Sequence, residues 1–297
     1  MPASTRWARL LAVGEGLLVS AIWASSFVII KIGLVHLGPL TLAGVRYFAA
    51  FLFLLPLLAL SGTFRRNPAP GRWGRLFLMG LLAYPVSNGA LFWGLQYVPA
   101  TTGAFLHSLL PLPSLVVALV WLREIPIPRQ LLGLTVALAG SALFFWQGLG
   151  AGDPLALAVV GLSVVAFGVF VVLSRALARE GHVPTLPLTA LPLGFGGGLL
   201  LAVALPLEGA APPALEGWVA VSWLAVINTA VAYLLYNHSL RTLTALELNV
   251  LLSLSPLGTA LLASLLLGER VTLPQVVGLV VAISGVLLVQ RRSSPSP

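Results

Sequence analysis

Cysteine is absent from the 297 residues, so neither disulfides nor thiolate metal sites can form, and cysteine usage leaves the redox compartment open. Charge is scarce too. Asp, Glu, Lys and Arg make up 8% of the chain, and Asp153 is its only aspartate, which excludes a membrane aspartyl protease built on two aspartates. The four histidines, at positions 36, 107, 182 and 238, are scattered rather than clustered as metal ligands would be. No Walker motif is present, so ATP cannot drive the chain directly. Apolar residues dominate instead. At 59% hydrophobic, with a mean hydropathy of +1.02, the chain has too little polar surface to coat a water-soluble globule of its size.

Hydrophobic runs of roughly 20 residues recur along the chain, each long enough as a helix to cross a bilayer core of ~30 Å. They do not alternate as transmembrane strands would. The expected fold is an all-α membrane protein with ten transmembrane helices: 11–35, 39–60, 74–95, 99–122, 127–147, 154–177, 184–206, 217–238, 243–267 and 272–290. Arg6 and Arg9 precede an apolar run, but Glu15 interrupts it and apolar character lasts to Leu34, too far for a cleaved signal peptide. With the N-terminus in the cytoplasm, thirteen arginines fall on inner ends and loops (6, 9, 65, 66, 72, 75, 123, 129, 175, 179, 241, 291, 292), against Arg270 alone outside. Residues 1–10 and 291–297 are then expected as short cytoplasmic tails. The net charge of +8 reads as a topology signal; with no stacking aromatics interleaved on a groove, a nucleic-acid partner is not expected.

Two stretches repeat. "LPLPSLVVALVWLRE" (110–124) and "SPLGTALLASLLLGE" (255–269) both run from a proline-containing start to a glutamate. Placing Glu124 on Glu269 sets an offset of 145 residues (269 − 124), which also superposes Ala100 on Ala245, Ser108 on Ser253, Pro111 on Pro256, Gln130 on Gln275, Gly133 on Gly278 and Gly140 on Gly285. At an offset of 144 Trp23 falls near Phe167 and Lys31 near Arg175. The unit therefore holds five spans, 11–147 and 154–290. Because five is odd, the second copy enters the membrane from the opposite side, which makes two inverted five-helix repeats around a central cavity. That construction recurs in secondary transporters.

"IWASSFVIIKIGL" in the first span, "GPLTLAGVRYFAAFLFLLPLL" in the second and "LGERVTLPQVVGLVVAISGVLL" at the end resemble the EamA-type family of the drug/metabolite transporter superfamily. The resemblance covers essentially the whole chain. It implies a bacterial inner-membrane exporter of amino acids, related metabolites or drugs, with spans one, three, four, six, eight and nine lining the cavity. The chain departs from the family pattern at Ser255, where many relatives carry glutamate, and at Glu15 and Glu247, where small or apolar residues are expected. Small amphipathic metabolites, above all amino acids or related compounds, are the expected solutes, exported by alternating access. Broad drug or toxic-compound efflux, with or without proton coupling, is the alternative. The expected partners are the solute and the lipid bilayer, with a monomeric chain, no cofactor, no metal and no enzymatic activity.

Polar groups deep in a bilayer are costly and face a cavity or a partner. The expected substrate-binding residues are Trp23; Tyr84 and Asn88, with Phe92 and Trp93 one turn on; His107; Asn228, Tyr233 and Asn237; and Asn249. Each also reads as interhelical glue. Lys31 and Arg46 are expected as structural charges. Glu247 has two readings: a rim partner of Arg241, or an ion-coupling carboxylate that exchanges a proton during the cycle. Its repeat mate is Thr102 (247 − 145), so the carboxylate belongs to one half only. Pro111 and Pro256, mid-span repeat mates, are expected as hinges or static bends.

Overall fold

The computed structural model describes residues 3–62, 70–94, 96–98, 100–146, 153–209, 214–255, 257–259, 262 and 272–290. Among them every regular element is helical, and nine helices are long and apolar enough to cross a membrane. The described helical segments are labelled in chain order α1 (Ala3–Leu34), α2 (Pro39–Leu60), α3 (70–94), α4 (Ala100–Ser108), α5 (111–122), α6 (Pro128–Phe145), α7 (Pro154–Glu180), α8 (Thr185–Glu208), α9 (215–239), α10 (Ala245–Leu252) and α11 (Leu273–Gln290). One sequence expectation changes. Helix α1 starts at Ala3, so residues 3–10 form a further two turns rather than a tail. Of the span expected at 243–267, Ala245–Leu252 form α10, residues 254, 255, 257–259 and 262 are also helical, and residues 256, 260, 261 and 263–267 lie outside the described residues. Pro256, Glu269 and Arg270, and Arg65, Arg66, Arg291 and Arg292, lie outside the described residues. Large apolar side chains such as Leu60, Val120 and Leu215 are exposed on outer helix faces, where lipid replaces water as the solvent.

Helix starts follow a local rule. Pro39, Pro128 and Pro154 sit in the first turns of α2, α6 and α7, where a missing N–H costs nothing. The orphan N–H groups of these first turns find side chains. Asp153 accepts from Ala156 N at 2.8 Å, and Glu208, at the far end of α8, accepts from Leu40 N and Thr41 N at 3.0 and 2.7 Å. The repeated glutamines do the same work twice. Gln130 Oε1 accepts from Ile127 N at 3.0 Å, and Gln275 Oε1 from Thr272 N at 2.9 Å. Ser108 and Ser253, also repeat mates, each donate back to a carbonyl three residues earlier, at 2.7 and 2.8 Å, where α4 and α10 end.

Without water between them, membrane helices pack through small residues. A Cβ on Gly140 would collide with Gly278 and Ala282, and one on Gly133 with the Gly285 carbonyl oxygen. The order of contacts, 133 to 285 and 140 to 278, makes α6 and α11 antiparallel. Helices α2 and α8 meet likewise, Gly44 against Leu201 and Gly197 against Tyr47 and Phe48. The glycines from 194 to 198 thus serve close packing, and α8 stays continuous through them.

Polar contacts sort the helix ends into two sets. At one set Arg9 pairs with Glu247, Glu15 with His238, Arg75 with Glu180 and Arg175 with Glu124. At the other, Glu208 caps α2, and Asp153 N donates to Tyr97 O at 3.3 Å.

Candidate functional site

Helices α3 and α9 each change from α- to π-helical winding in mid-span, at Leu82–Gly89 and Val226–Val231. Winding with i→i+5 bonds widens the turn and redirects carbonyls from the α pattern. In α9 the Thr229 hydroxyl donates to Leu224 O at 2.8 Å, and the Asn228 carbonyl turns outward. That carbonyl becomes a hub: Trp23 Nε1 of α1 donates to it at 3.0 Å, and Arg46 Nη2 of α2 at 3.2 Å. Arg46 Nε donates to Thr229 Oγ1 at 2.8 Å, and the Asn228 side chain ties back to Ile22 O and Ser25 Oγ at 2.6 and 3.1 Å.

Beside this hub lies a cavity of about 110 Å³. Its wall takes Trp23, Ser26 and Ile30 from α1, Arg46 and Tyr47 from α2, Asn88, Leu91 and Phe92 from α3, and His107 and Leu110 from the α4–α5 break. Phe167 of α7 and Tyr233 of α9 close it, with Leu252, Ser253 and Ser255 at and beyond the end of α10. The aromatic rings form one assembly. Trp23 lies 6.4 Å from Phe167, 5.3 Å from Tyr233 and 5.8 Å from Tyr236, and Phe170 stacks on Tyr236 at 6.0 Å. Trp23 and Phe167, repeat-related in sequence, are thus in contact.

Of the expected binding residues, Trp23, Asn88, Phe92, His107 and Tyr233 line the cavity. Tyr84 sits behind it, fully buried, its ring 4.5 Å from Tyr47 and 5.9 Å from Tyr233. Three further expected residues lie outside the lining. Asn228 is held by α1 as described; Asn237 Nδ2 donates to Thr189 Oγ1 at 3.0 Å, joining α9 to α8; and Trp93, one residue past Phe92 and so about 100° around the helix, packs on Tyr97 at 5.1 Å. Asn249 is buried one turn before Ser253, outside the lining, with neither amide atom partnered among the described residues. Arg46, expected as a structural charge, stands in the cavity wall. Tyr47, Phe167, Ser26 and Ser255 are lining residues that side-chain polarity alone does not mark out; the i,i+3 aromatic pairs 167/170 and 233/236 were the available signal.

The charges at the helix ends also differ from expectation. Glu247 does not pair with Arg241. Its Oε1 lies 2.5 Å from Arg9 Nη2, and its Oε2 accepts from Thr244 N at 2.9 Å in a capping box with Thr244, so both oxygens are occupied by the protein. Arg241 instead donates to Thr185 Oγ1 and Val183 O, at 2.8 and 2.7 Å. The reason is reach: Arg9, 238 residues away in sequence, is brought over the α10 N-terminus by the extra turns of α1. Lys31 lies within α1, and its side chain is outside the described residues. Between Ser108 and Pro111 the winding tightens through two turn residues with i→i+3 bonds, Leu110 keeps right-handed backbone angles, and Pro111 opens α5.

Comparison with known proteins adds a family. The model of the EamA-like transporter family matches twice, at residues 10–146 and 154–291. The uncharacterized inner membrane transporter YedA of Escherichia coli strain K12 is 28% identical over 280 residues, covering 90% of this chain and 87% of its own. A protein of Streptantibioticus cattleyicolor named as a probable terminal-alkyne amino-acid exporter is 26% identical over 292 residues, covering 95% and 94%. One solved crystal structure shares the fold at a TM-score of 0.78 and 18% identity, over 94% of this chain and 97% of that one. With two family matches that together span nearly all of its length, this chain belongs to the EamA-like transporter family.

Proposed function

We propose that the chain is a secondary transporter that exports small amphipathic metabolites, amino acids or related compounds, by alternating access. The observation that carries this reading is the cavity on which α1 to α4 and α7, α9 and α10 converge: aromatic rings with a few amide, hydroxyl and imidazole groups, suited to a solute with an apolar body and a polar end. Two inverted five-helix halves, 11–147 and 154–290, supply the alternation, because such halves make inward-open and outward-open states of similar energy. The antiparallel glycine contacts of α6 with α11 and the repeated caps at Gln130 and Gln275 support ten helices in that arrangement. The similar protein named as an amino-acid exporter favours amino acids over general drug efflux.

Placement in the bacterial inner membrane with both termini cytoplasmic rests on the arginine distribution and on the gathering of Arg9, Arg75, Arg175 and Arg241 at one set of helix ends. Reporter fusions active only in the cytoplasm should give signal after Arg66 or Arg292 and none after Asp153 or Gly209. For transport, purified protein in liposomes should accelerate exchange of labelled amino acids above protein-free vesicles. Movement of ethidium with no amino-acid flux would transfer the reading to drug efflux.

A further inference from the structure

A buried cation, Arg46, has no counter-ion among the described residues. Arg46 is 4% exposed, and seven residues after Pro39 it lies about 10 Å along α2. A charge at that depth is costly unless it is paired, and removing one partner of a buried pair is more costly still. Yet the described protein partners of Arg46 are all neutral. Nε and Nη2 donate to the Thr229 hydroxyl and the Asn228 carbonyl, and the guanidinium carbon sits 5.1 Å from the centre of the Tyr47 ring. Nη1 has no acceptor among the described residues, and the described ion pairs all involve other side chains. Among the described residues, the lining of the cavity that Arg46 faces includes no Asp or Glu.

We propose that Arg46 is the anchor for a carboxylate on the transported solute, an inference that rests on the transport reading above. Guanidinium is a planar fork that matches a carboxylate with two parallel hydrogen bonds. The bonds to Thr229 and Asn228 fix the plane of this fork and leave its Nη1–Nη2 edge for the ligand. The solute supplies the charge that no described residue does. Its apolar part lies against Trp23, Phe167 and Tyr233, which line the same space. The buried Nε2 of His107 and the hydroxyl of Ser26, both without a partner among the described residues and both in the cavity wall, remain for a second polar group such as an amine or hydroxyl. The solute class is therefore small carboxylates with an apolar body. Cationic compounds are disfavoured, because a second positive charge would be desolvated beside an uncompensated one.

The test uses the purified full chain, wild type and the Arg46→Lys and Arg46→Gln variants, with four probes: L-phenylalanine, 3-phenylpropionate, L-phenylalaninamide and ethidium. Binding is read as ligand-induced thermal stabilisation in detergent, and transport as flux in liposomes. Both carboxylates should stabilise the wild type at concentrations at least about tenfold below those the amide needs, as expected when a charge-assisted bidentate pair is lost. Arg46→Gln should bring that ratio to about one, and Arg46→Lys, a point charge without the fork, should keep part of it. The wild-type ratio and the lysine variant decide the matter where the glutamine variant does not fold. Equal response to acid and amide in the wild type, no response to either carboxylate, or a ratio unchanged in Arg46→Gln would overturn the inference. Carboxylate-selective stabilisation without flux of any probe would uphold the site and remove the transport reading. Ethidium flux without carboxylate preference would do the reverse.

Discussion

The indole Nε1 of Trp23 donates to the backbone carbonyl of Asn228 at 3.0 Å, joining positions 205 residues apart in sequence. Trp23→Phe keeps a ring beside Phe167, Tyr233 and Tyr236 but removes the donor, leaving the carbonyl to Arg46 alone. The expected cost is about 1 kcal/mol. In a thermal melt that is a drop of about 2–4 °C. Trp23→Ala also removes the ring and should cost about 3–5 kcal/mol. Equal losses in the two variants would show that the ring adds little beyond the hydrogen bond, and no loss in Trp23→Phe would show that the hydrogen bond contributes little.

Arg175 and Glu124 form a second long-range pair. Arg175 Nε lies 2.9 Å from Glu124 Oε1, Arg175 Nη1 donates to Leu240 O at 2.6 Å, and Glu124 Oε2 accepts from Ala245 N at 3.4 Å. The two side chains are only 10% and 13% exposed, so solvent screens them weakly. Glu124→Gln should destabilise the fold by about 3–5 kcal/mol by leaving a buried cation unpaired. The double variant Glu124→Gln, Arg175→Gln should recover much of that loss, because no lone charge remains. A double-mutant cycle on melting midpoints that returns no coupling would remove the pair from the account of stability.

For Glu247 the contacts favour a fixed structural role over proton exchange. Glu247→Gln can still accept from Thr244 N, so it should leave the response of flux to an inward pH gradient unchanged. Glu247→Ala loses both the cap and the Arg9 pair and should cost roughly 1–2 kcal/mol from the cap alone. Loss of the gradient response in Glu247→Gln at an unchanged melting midpoint would restore the proton-carrying role.

At the α4–α5 break, Pro111 begins a helix after two turn residues, Leu109 and Leu110. Pro111→Ala returns an N–H and allows the helix to run through. If the break is a moving joint, turnover should fall roughly severalfold while solute affinity stays the same. Wild-type flux in the variant would leave a static bend that shapes the cavity at His107 and Leu110.

Much of the scaffold was legible because the repeat marks residues with local jobs. Gln130 and Gln275 recur because each closes the first turn of its own helix, and Ser108 and Ser253 because each satisfies a carbonyl where its helix stops. Gly133, Gly140, Gly278 and Gly285 recur because two backbones meet there and no side chain fits. The site was legible in part. Trp23, Asn88, Phe92, His107 and Tyr233 stand out as polar or aromatic groups in apolar spans, and they do line the cavity. Asn237 and Trp93 carry the same signature and turn to other neighbours, because residue type does not state which face of a helix meets the cavity.

By itself the sequence determined that this chain spans a bilayer, where most of its helices begin, and that one half repeats the other, since hydropathy, proline, glycine and capping residues act over a single turn or a single contact. Only the tertiary structure decided which charge meets which. Arg9 takes Glu247 in place of Arg241, although Arg241 is six residues away in sequence, because helix packing sets the distance in space. It likewise decided that Trp23 and Arg46 meet at one carbonyl. That acceptor is a backbone group, identical at every residue, and only the π-helical winding of α9 against α1 and α2 singles out the one at Asn228.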